Sequence, residues 1–207
     1  MDGAAWWNNE KRILSPYVKP GAIAIDVGAN LGFLTTLCSQ MVGSSGCVHS
    51  FEPSPATYLK LLEVIKANGL KNVKSHNVGC GEVPAIMKLS VTESSGNSSL
   101  RLRDDLPYRV RKTQDVKIVV LDEYLGSDLS RLDFLKIDTE GFEDSVLLGA
   151  RNILMKFHPI IYLELSSEYF ESSQRAIRIL KEMNYRFEQE PVLDACHNGQ
   201  NFLAFPR

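Results

Sequence analysis

The chain has 207 residues with a formal net charge of −2, and hydrophobic residues make up 44% of it. This length fits one domain, or one domain carrying an insert, with a full hydrophobic core. The charge gives no sign of a generic nucleic-acid binder, and no apolar run is long enough to cross a membrane. The four cysteines form no Cys-x-x-Cys pair, so we expect reduced thiols in a cytoplasmic protein.

Residues 1–20 form a lead-in before the first predicted strand. Trp6 and Trp7 precede a short helical pattern at residues 9–14. Adjacent residues cannot face the same side of a helix. We therefore expect one Trp to cover the domain and the other to line a site or a partner surface, with packing alone as the simpler alternative.

A glycine-rich bend follows at residues 24–32, which read Ala-Ile-Asp-Val-Gly-Ala-Asn-Leu-Gly. An apolar run enters it and a helical pattern leaves it, which is typical of a buried parallel strand, a tight turn and a helix start. Gly28 and Gly32 allow a sharp turn and a close ligand approach. Asp26 lies at the carboxyl end of the strand, where open parallel sheets bind ligands.

The spacing of this bend excludes two common nucleotide sites. A dinucleotide-binding Gly-x-Gly-x-x-Gly loop would need glycine where Asn30 and Phe33 stand. A Walker loop would need Lys-Ser/Thr after Gly32, where Phe33 stands again. The remaining pattern, acid-x-Gly-x-Asn-x-Gly, resembles the first motif of the Rossmann-like methyltransferases. That resemblance implies binding of S-adenosylmethionine, a cation without phosphates, whose ammonium an acid can face. A structural turn without any ligand is the alternative.

A second acid ends the next predicted strand, at residues 47–52. Glu52 lies 26 residues beyond Asp26, where adenosine-binding folds place an acid that accepts hydrogen bonds from ribose hydroxyls. An exposed strand-end acid is the alternative. After the third predicted strand, at 73–78, Asn77 and Val78 are candidates to touch adenine by position.

Residues 82–120 interrupt the strand and helix rhythm. Strand patterns at 85–91 and 116–120 flank a polar stretch, which predicts a β-hairpin insert with a long tip that acts as a substrate lid or a solvated connector. The arginines that could recognise a carboxylate or phosphate there are Arg101, Arg103, Arg109 and Arg111. Ordinary solvated side chains are the alternative.

Three segments together resemble the signature of the FkbM family of methyltransferases. These segments are residues 24–32, residues 51–53 and residues 135–141, the last reading Leu-Lys-Ile-Asp-Thr-Glu-Gly. Further similarity extends the resemblance over about residues 20–165 and the closing strand. It implies an α/β fold with a seven-stranded Rossmann-like class I sheet, mostly parallel with an antiparallel last strand, and residues 1–207 as a single methyltransferase domain. It also implies S-adenosylmethionine as cofactor and O-methylation of natural products or sugars.

Position and resemblance together give a set of candidate site residues. The predicted cofactor-binding residues are Asp26, Gly28, Ala29, Asn30, Gly32, Glu52, Pro53, Asn77, Val78 and Asp138. An acceptor hydroxyl must lose its proton during methyl transfer, so the predicted catalytic residues are the acids Asp138, Glu140 and Glu164. These acids could instead hold the cofactor's ammonium or cap a helix, and a shared divalent metal is a weaker option.

The expected partner is a small hydroxylated acceptor rather than a nucleic acid or a membrane, and a homodimer is left open. Two alternatives stay open at this point. One is an oxidoreductase that binds NAD(P) or a nucleotide sugar, which the glycine spacing and the lack of a Tyr-x-x-x-Lys pair disfavour. The other is a cofactor-binding subunit without catalytic activity.

Overall fold

A computed structural model describes residues 3–92, 99–100, 110–189, 191–193 and 199–207. Most of the tip of the predicted insert, with Arg101, Arg103 and Arg109, lies outside the described residues, and of Arg111 only the backbone is described. None of the helices in these ranges has both the length and the hydrophobicity to span a bilayer.

The elements follow the alternation of strands and helices that the sequence predicts. The helices are α1 (Gly3–Leu14), α2 (Phe33–Val42), α3 (Pro55–Ala67), α4 (Leu121–Tyr124), α5 (Glu143–Gly149), α6 (Arg151–Phe157) and α7 (Phe170–Glu182). The strands are β1 (Ile23–Val27), β2 (Cys47–Phe51), β3 (Val73–His76), β4 (Gly79–Cys80), β5 (Ala85–Thr92), β6 (Val110–Val119), β7 (Phe134–Ile137), β8 (Ile160–Leu165), β9 (Tyr185–Phe187) and β10 (Gln200–Pro206).

The main sheet has seven strands in the order β3-β2-β1-β7-β8-β10-β9. Strands β3, β2, β1, β7 and β8 are parallel neighbours, whereas β10 runs antiparallel to both β8 and β9. The prediction of a mostly parallel Rossmann-like sheet with an antiparallel last strand is therefore confirmed. The strand order reverses between β1 and β7, and ligands bind at such a switch point, outside the carboxyl ends of the strands.

Both faces of this sheet are covered, which explains the nearly continuous apolar strands. Successive side chains in a strand point to opposite faces. Ile25 and Leu135 belong to one hydrophobic cluster, whereas their neighbours Ala24 and Phe134 belong to the other. A charged side chain in β1 or β7 is therefore buried from both sides unless it lies at the strand's carboxyl end.

The sequence at residues 56–68 predicts a helix capped by Ser54, with Leu59, Leu62, Val64 and Ile65 on its apolar face. The cap is present in α3, because the Ser54 hydroxyl accepts a hydrogen bond from the Thr57 amide at 3.4 Å. The predicted face is wrong in part, since Leu59 and Leu62 are 62% and 38% exposed, whereas Leu61 is fully buried. Helix α3 packs through Leu61, whose side chain lies where a Cβ at Gly32 would be.

The sequence after the Asp-Thr-Glu-Gly segment predicts one helix over residues 142–157, but the structure has two helices, α5 and α6, broken at Ala150. Asp122, in α4, accepts hydrogen bonds from the amides of Asn152 and Ile153, each at 2.8 Å. A carboxylate from elsewhere in the chain thus satisfies the first amides of α6, and a capped helix start replaces continuous helix at this point.

The predicted insert contains an antiparallel hairpin of β5 and β6, and β4 lies beside β6 to complete a small three-stranded sheet. The tight bend expected around Gly79 is therefore a short strand. Ser99 pairs through its backbone with Ser90, and its hydroxyl donates to the carbonyl oxygen of Glu140 at 2.7 Å. The base of the insert is thus fastened to the loop after β7.

Candidate functional site

A pocket with about 610 Å³ of empty volume opens at the carboxyl ends of β1, β2 and β7. Its described lining residues are Val27, Gly28, Asn30, Phe51, Glu52, Pro53, Gly79, Cys80, Leu89, Leu100, Asp138, Thr139 and Glu140. We call this the first pocket. The sheet thus brings together the ends of three strands that are far apart in sequence, and the hairpin insert supplies an apolar wall.

The glycine bend forms the wall of the first pocket nearest to β7. Gly28 has a φ of +77°, and a Cβ there would overlap the carbonyl oxygen of Asp138. The amides of Gly28 and Ala29 both donate to the Phe51 carbonyl, at 3.0 and 2.9 Å. Asn30 also adopts a positive φ, of 50°, and its side-chain oxygen is buried without a hydrogen-bond partner among the described residues.

Glu52 is held in place by backbone amides at the end of β2. Its two carboxylate oxygens accept hydrogen bonds from the amides of Asn30 and Ser54, each at 2.9 Å. Burial raises the pKa of Glu52, and these two amides and the charge of Lys136 oppose the rise. Each carboxylate oxygen keeps a second lone pair that can accept a hydrogen bond from the pocket.

Asn77 and Val78, predicted to touch adenine, do not line the first pocket in the described part of the chain. The Asn77 side-chain amide donates to the Glu52 carbonyl at 2.8 Å and to the Pro53 carbonyl at 3.2 Å. Val78 packs in a hydrophobic core cluster. Asn77 therefore supports the strand end that carries Glu52.

Asp26 is 1% exposed and lines neither this pocket nor the neighbouring one described below. Its carboxylate accepts a hydrogen bond from the Thr35 hydroxyl at 2.6 Å, and the Lys136 Nζ lies 3.1 Å from its other oxygen. The cation that faces Asp26 is thus the chain's own ammonium group. Gly32 likewise lines neither pocket, and it makes room for Leu61.

Lys136 contacts both the glycine bend and Asp138, and it was not among the predicted site residues. Its ammonium donates to the Gly28 carbonyl at 2.7 Å and lies 3.5 Å from an Asp138 oxygen. Burial alone would lower the pKa of Lys136, but the charges of Asp26 and Asp138 outweigh burial and raise it. A lysine within the apolar strand Phe-Leu-Lys-Ile was the available signal, because a buried charge needs partners.

The three acids predicted to be catalytic lie close together. Burial raises the pKa of Glu164 to about 9, helped by the charge of Asp138 and a hydrogen bond to it. Burial raises the pKa of Glu140 to about 8, again helped by Asp138. These shifts favour the protonated forms of Glu140 and Glu164 at neutral pH. The Asp138 side chain is 34% exposed and lines both pockets.

A buried acid fixes the loop that carries Glu140. Glu143 is 3% exposed, and one of its oxygens accepts hydrogen bonds from the amides of Thr139 and Gly141, at 3.0 and 3.1 Å. Gly141 has a φ of +95°, and a Cβ there would overlap the Tyr169 ring. The sequence analysis did not identify Glu143, although its position at the start of a helix was a signal.

Among the described residues, no group of three or more His, Cys, Asp or Glu side chains is arranged to hold a metal ion. The assignment of Asp138, Glu140 and Glu164 to acid–base chemistry rather than to a shared divalent metal stays a prediction.

A second pocket, with about 530 Å³ of empty volume, adjoins the first beside α1. Its described lining residues are Trp6, Glu10, Gly28, Ala29, Asn30, Phe33, Leu34, Lys136, Asp138, Tyr162 and Asn201. Trp6 is thus the tryptophan of the pair that lines a pocket. The Tyr162 hydroxyl donates to the Glu10 carboxylate at 2.7 Å. Gly28, Asn30 and Asp138 belong to both pockets and mark their junction.

Residues 26–187 match the family model described as the methyltransferase FkbM domain. The chain belongs to the FkbM methyltransferase family. The match includes the glycine bend, Glu52, Lys136 and all three clustered acids, so the family segment contains the first pocket's acidic residues.

A curated relative and two solved structures extend this FkbM assignment. Methyltransferase 1 of Beauveria bassiana (strain ARSEF 2860) is 28% identical over 142 residues, which are 60% of this chain and 57% of the relative. The FkbM methyltransferase of Methylobacillus flagellatus KT has a TM-score of 0.60 at 16% identity, covering 95% of this chain and 50% of that one. Aeropyrum pernix fibrillarin, solved with natively bound S-adenosyl-L-methionine, has a TM-score of 0.59 at 14% identity, covering 95% and 74%.

The chain therefore spans little more than half the length of that curated relative. The two structures share its fold. Family membership and fold confirm the predicted FkbM resemblance, the Rossmann-like class I architecture and S-adenosylmethionine as the cofactor.

Proposed function

We propose that this FkbM domain transfers the methyl group of S-adenosylmethionine to a hydroxyl group of a small molecule. The observation that carries this proposal is the position of Asp138. Its carboxylate lies where the two pockets meet, with the Lys136 ammonium 3.5 Å behind it and the protonated Glu164 beside it. The Asp138 carboxyl group thus faces the junction at which a donor and an acceptor molecule would meet.

The first pocket offers the groups that the cofactor needs. Glu52 can accept hydrogen bonds from the two ribose hydroxyls, and Pro53, Cys80 and Leu89 form apolar surface for the adenine. The unpartnered oxygen of Asn30 can accept a hydrogen bond from the amino group of the methionine part. When bound, S-adenosylmethionine supplies a methyl group that is already activated on a sulfonium.

The residues of the chain then align the acceptor and remove its proton. Holding two reactants in the right geometry contributes on the order of 7–11 kcal/mol in favourable cases. The proton of the acceptor hydroxyl passes to an Asp138 oxygen, and a positioned base of this kind contributes about 10²–10⁴-fold. Glu140 and Glu164, already protonated at neutral pH, act by hydrogen bonding, and Glu164 keeps the Asp138 carboxylate oriented.

A nucleic-acid acceptor is the competing substrate class. Besides the protonated Glu140, the described walls of the two pockets carry three acids, at Glu10, Glu52 and Asp138, against one ammonium, at Lys136. Phosphate groups are repelled by such a surface, because nucleic-acid sites depend on lysine and arginine. The acidic lining therefore supports a small, uncharged or cationic acceptor.

The test is methyl transfer from labelled S-adenosylmethionine by the purified chain. Hydroxylated sugars and phenols are offered in one arm and transfer RNA and ribosomal RNA in the other. We expect label in an ether linkage to a small molecule and none in RNA. Transfer to RNA, or exclusively to nitrogen or carbon atoms, would contradict the proposal. Calorimetry with NAD in place of S-adenosylmethionine provides the binding control.

A further inference from the structure

The second pocket carries two carboxylates on its described walls, at Glu10 and Asp138. The ammonium of Lys136 in the same wall is already used by the Gly28 carbonyl and by Asp26. Neutral N–H groups also belong to the lining, on Trp6, Asn30 and Asn201. The two carboxylates favour an occupant that carries a cation or donates hydrogen bonds.

Glu10 is a buried acid whose described surroundings do not pair it with a cation. It is 5% exposed, and the ion pairs in the described part of the chain do not include it. Its hydrogen bond comes from Tyr162, a neutral phenol, and burial raises the pKa of Glu10 against that bond. A buried carboxylate without a cation is costly, and a ligand that brings one removes the cost.

Aromatic rings frame the opening of the same pocket. The Trp6 and Phe33 rings meet edge to face with centroids 6.1 Å apart, and Phe33 is 61% exposed. Large aromatic side chains at a pocket mouth bind the apolar faces of ligand rings. They also attract cations through the negative faces of the rings, and this attraction contributes about 0.5–1 kcal/mol at exposed sites.

We propose that the second pocket is the acceptor site, and that it selects a hydroxylated ring bearing a protonated amine, whose ammonium binds Glu10 while its hydroxyl faces Asp138. This inference rests on the proposed methyl transfer and names its substrate class. The Tyr162 hydroxyl, from β8, donates to one oxygen of the Glu10 carboxylate, which keeps further lone pairs that can accept hydrogen bonds. Anionic acceptors are rejected, because Glu10 and Asp138 both repel them.

The experiment compares three probes that share one ring, namely glucosamine, N-acetylglucosamine and glucose. Ligand-observed NMR titrations are run on the full chain saturated with S-adenosylhomocysteine. The wild-type chain is expected to bind glucosamine about tenfold more tightly than the other two, since a charged hydrogen bond contributes about 1.5–3 kcal/mol. Equal affinity for the three sugars, or no binding of glucosamine, overturns the inference.

The variant Glu10→Gln tests the residue, because its amide oxygen can still accept the Tyr162 hydrogen bond. We expect glucosamine to lose about tenfold in affinity and N-acetylglucosamine to change by less than about twofold. Glu63→Gln, on the exposed face of α3, is the matched control and should change neither. An unchanged preference for glucosamine in Glu10→Gln overturns the assignment.

A further comparison tests which ammonium group binds Glu10. The acceptor's amine is one candidate, and the amino-acid end of the cofactor, which also carries an ammonium, is the other. S-adenosylhomocysteine has that end and 5′-methylthioadenosine lacks it. We expect Glu10→Gln to leave the affinity of both unchanged. Weaker binding of S-adenosylhomocysteine alone would overturn the inference while leaving cofactor use intact. Failure of the wild-type chain to bind S-adenosylhomocysteine would instead refute the proposed function itself.

Discussion

The Nζ atom of Lys136 lies 3.1 Å from Oδ1 of Asp26, and both side chains are more than nine-tenths buried. The pair joins β7 to β1 at the point where the strand order reverses. Because Lys136 also donates to the Gly28 carbonyl, the glycine bend, the buried acid and Asp138 are held by one ammonium group. The geometry of the site therefore depends on a side chain that is largely hidden from a bound ligand.

The first prediction concerns Lys136→Met. Removing the ammonium leaves Asp26 buried without its cation, and breaking a buried pair in this way costs about 3–5 kcal/mol. The free energy of unfolding, measured by urea denaturation, should fall by that amount. Lys88→Met is the control, because the Lys88–Asp115 pair is 66% and 62% exposed and such pairs contribute about 0–1 kcal/mol. Equal losses in the two variants would show that the buried pair has no special role.

The second prediction concerns Glu52→Gln. The variant loses the charge that strengthens hydrogen bonds from ribose hydroxyls, and such bonds contribute about 1.5–3 kcal/mol. The dissociation constant of S-adenosylmethionine, measured by calorimetry, should rise about 10- to 100-fold. Glu63→Gln should leave it unchanged. If Glu52→Gln bound the cofactor as tightly as the wild-type chain, Glu52 would be removed from the proposed ribose contact.

The third prediction separates catalysis from binding at Asp138. Asp138→Asn keeps the shape of the side chain and removes its ability to take a proton. We expect kcat to fall about 10²–10⁴-fold, while the dissociation constant of S-adenosylmethionine changes by less than about threefold. Single-turnover kinetics with a small-molecule acceptor provide the measurement. An unaltered kcat would assign the proton to another group.

The fourth prediction concerns pH and Glu164. In the folded chain its pKa is about 9, against an ordinary value of 4.5, so the folded state holds a proton that the unfolded state releases. The stability from this group is fully present below pH 4.5 and is lost as pH rises through about 9. The glutamine in Glu164→Gln donates the same hydrogen bond to Asp138 and does not ionise.

The difference in melting temperature between the wild-type chain and Glu164→Gln should therefore change with pH. The wild-type chain should lose stability relative to Glu164→Gln between about pH 5 and pH 9. Thermal scans at fixed ionic strength measure this difference, and Glu63→Gln should show no such trend. A difference that stays constant across the range would mean that the pKa of Glu164 is ordinary.

The sequence was sufficient for the strands that carry the site. The sequence predicts a central strand over residues 134–137, and β7 has these limits, because a buried parallel strand is a sharply bounded apolar run. The proximity of Gly28, Asn30 and Asp138 could also be predicted, since strand ends meet at one edge of a parallel sheet. These features depend on local pattern and on a simple topological rule.

Features that depend on distant partners were not predictable from the pattern. The break between α5 and α6 depends on Asp122, and the buried face of α3 depends on Leu61 packing at Gly32. Asp26 was expected to face a ligand's cation because nothing in its own segment pointed to Lys136, 110 residues later. The Glu10–Tyr162 pair was missed for the same reason, since its members are 152 positions apart.

The packing of Gly199 against Glu164 has a consequence for how this acidic centre is completed. A Cβ at position 199 would overlap the Glu164 carboxyl group, and Asn201 pairs with Glu164 as β10 joins β8. The closing strand therefore encloses the Glu164 carboxyl group, so burial of this group by β10 is coupled to the uptake of a proton near neutral pH.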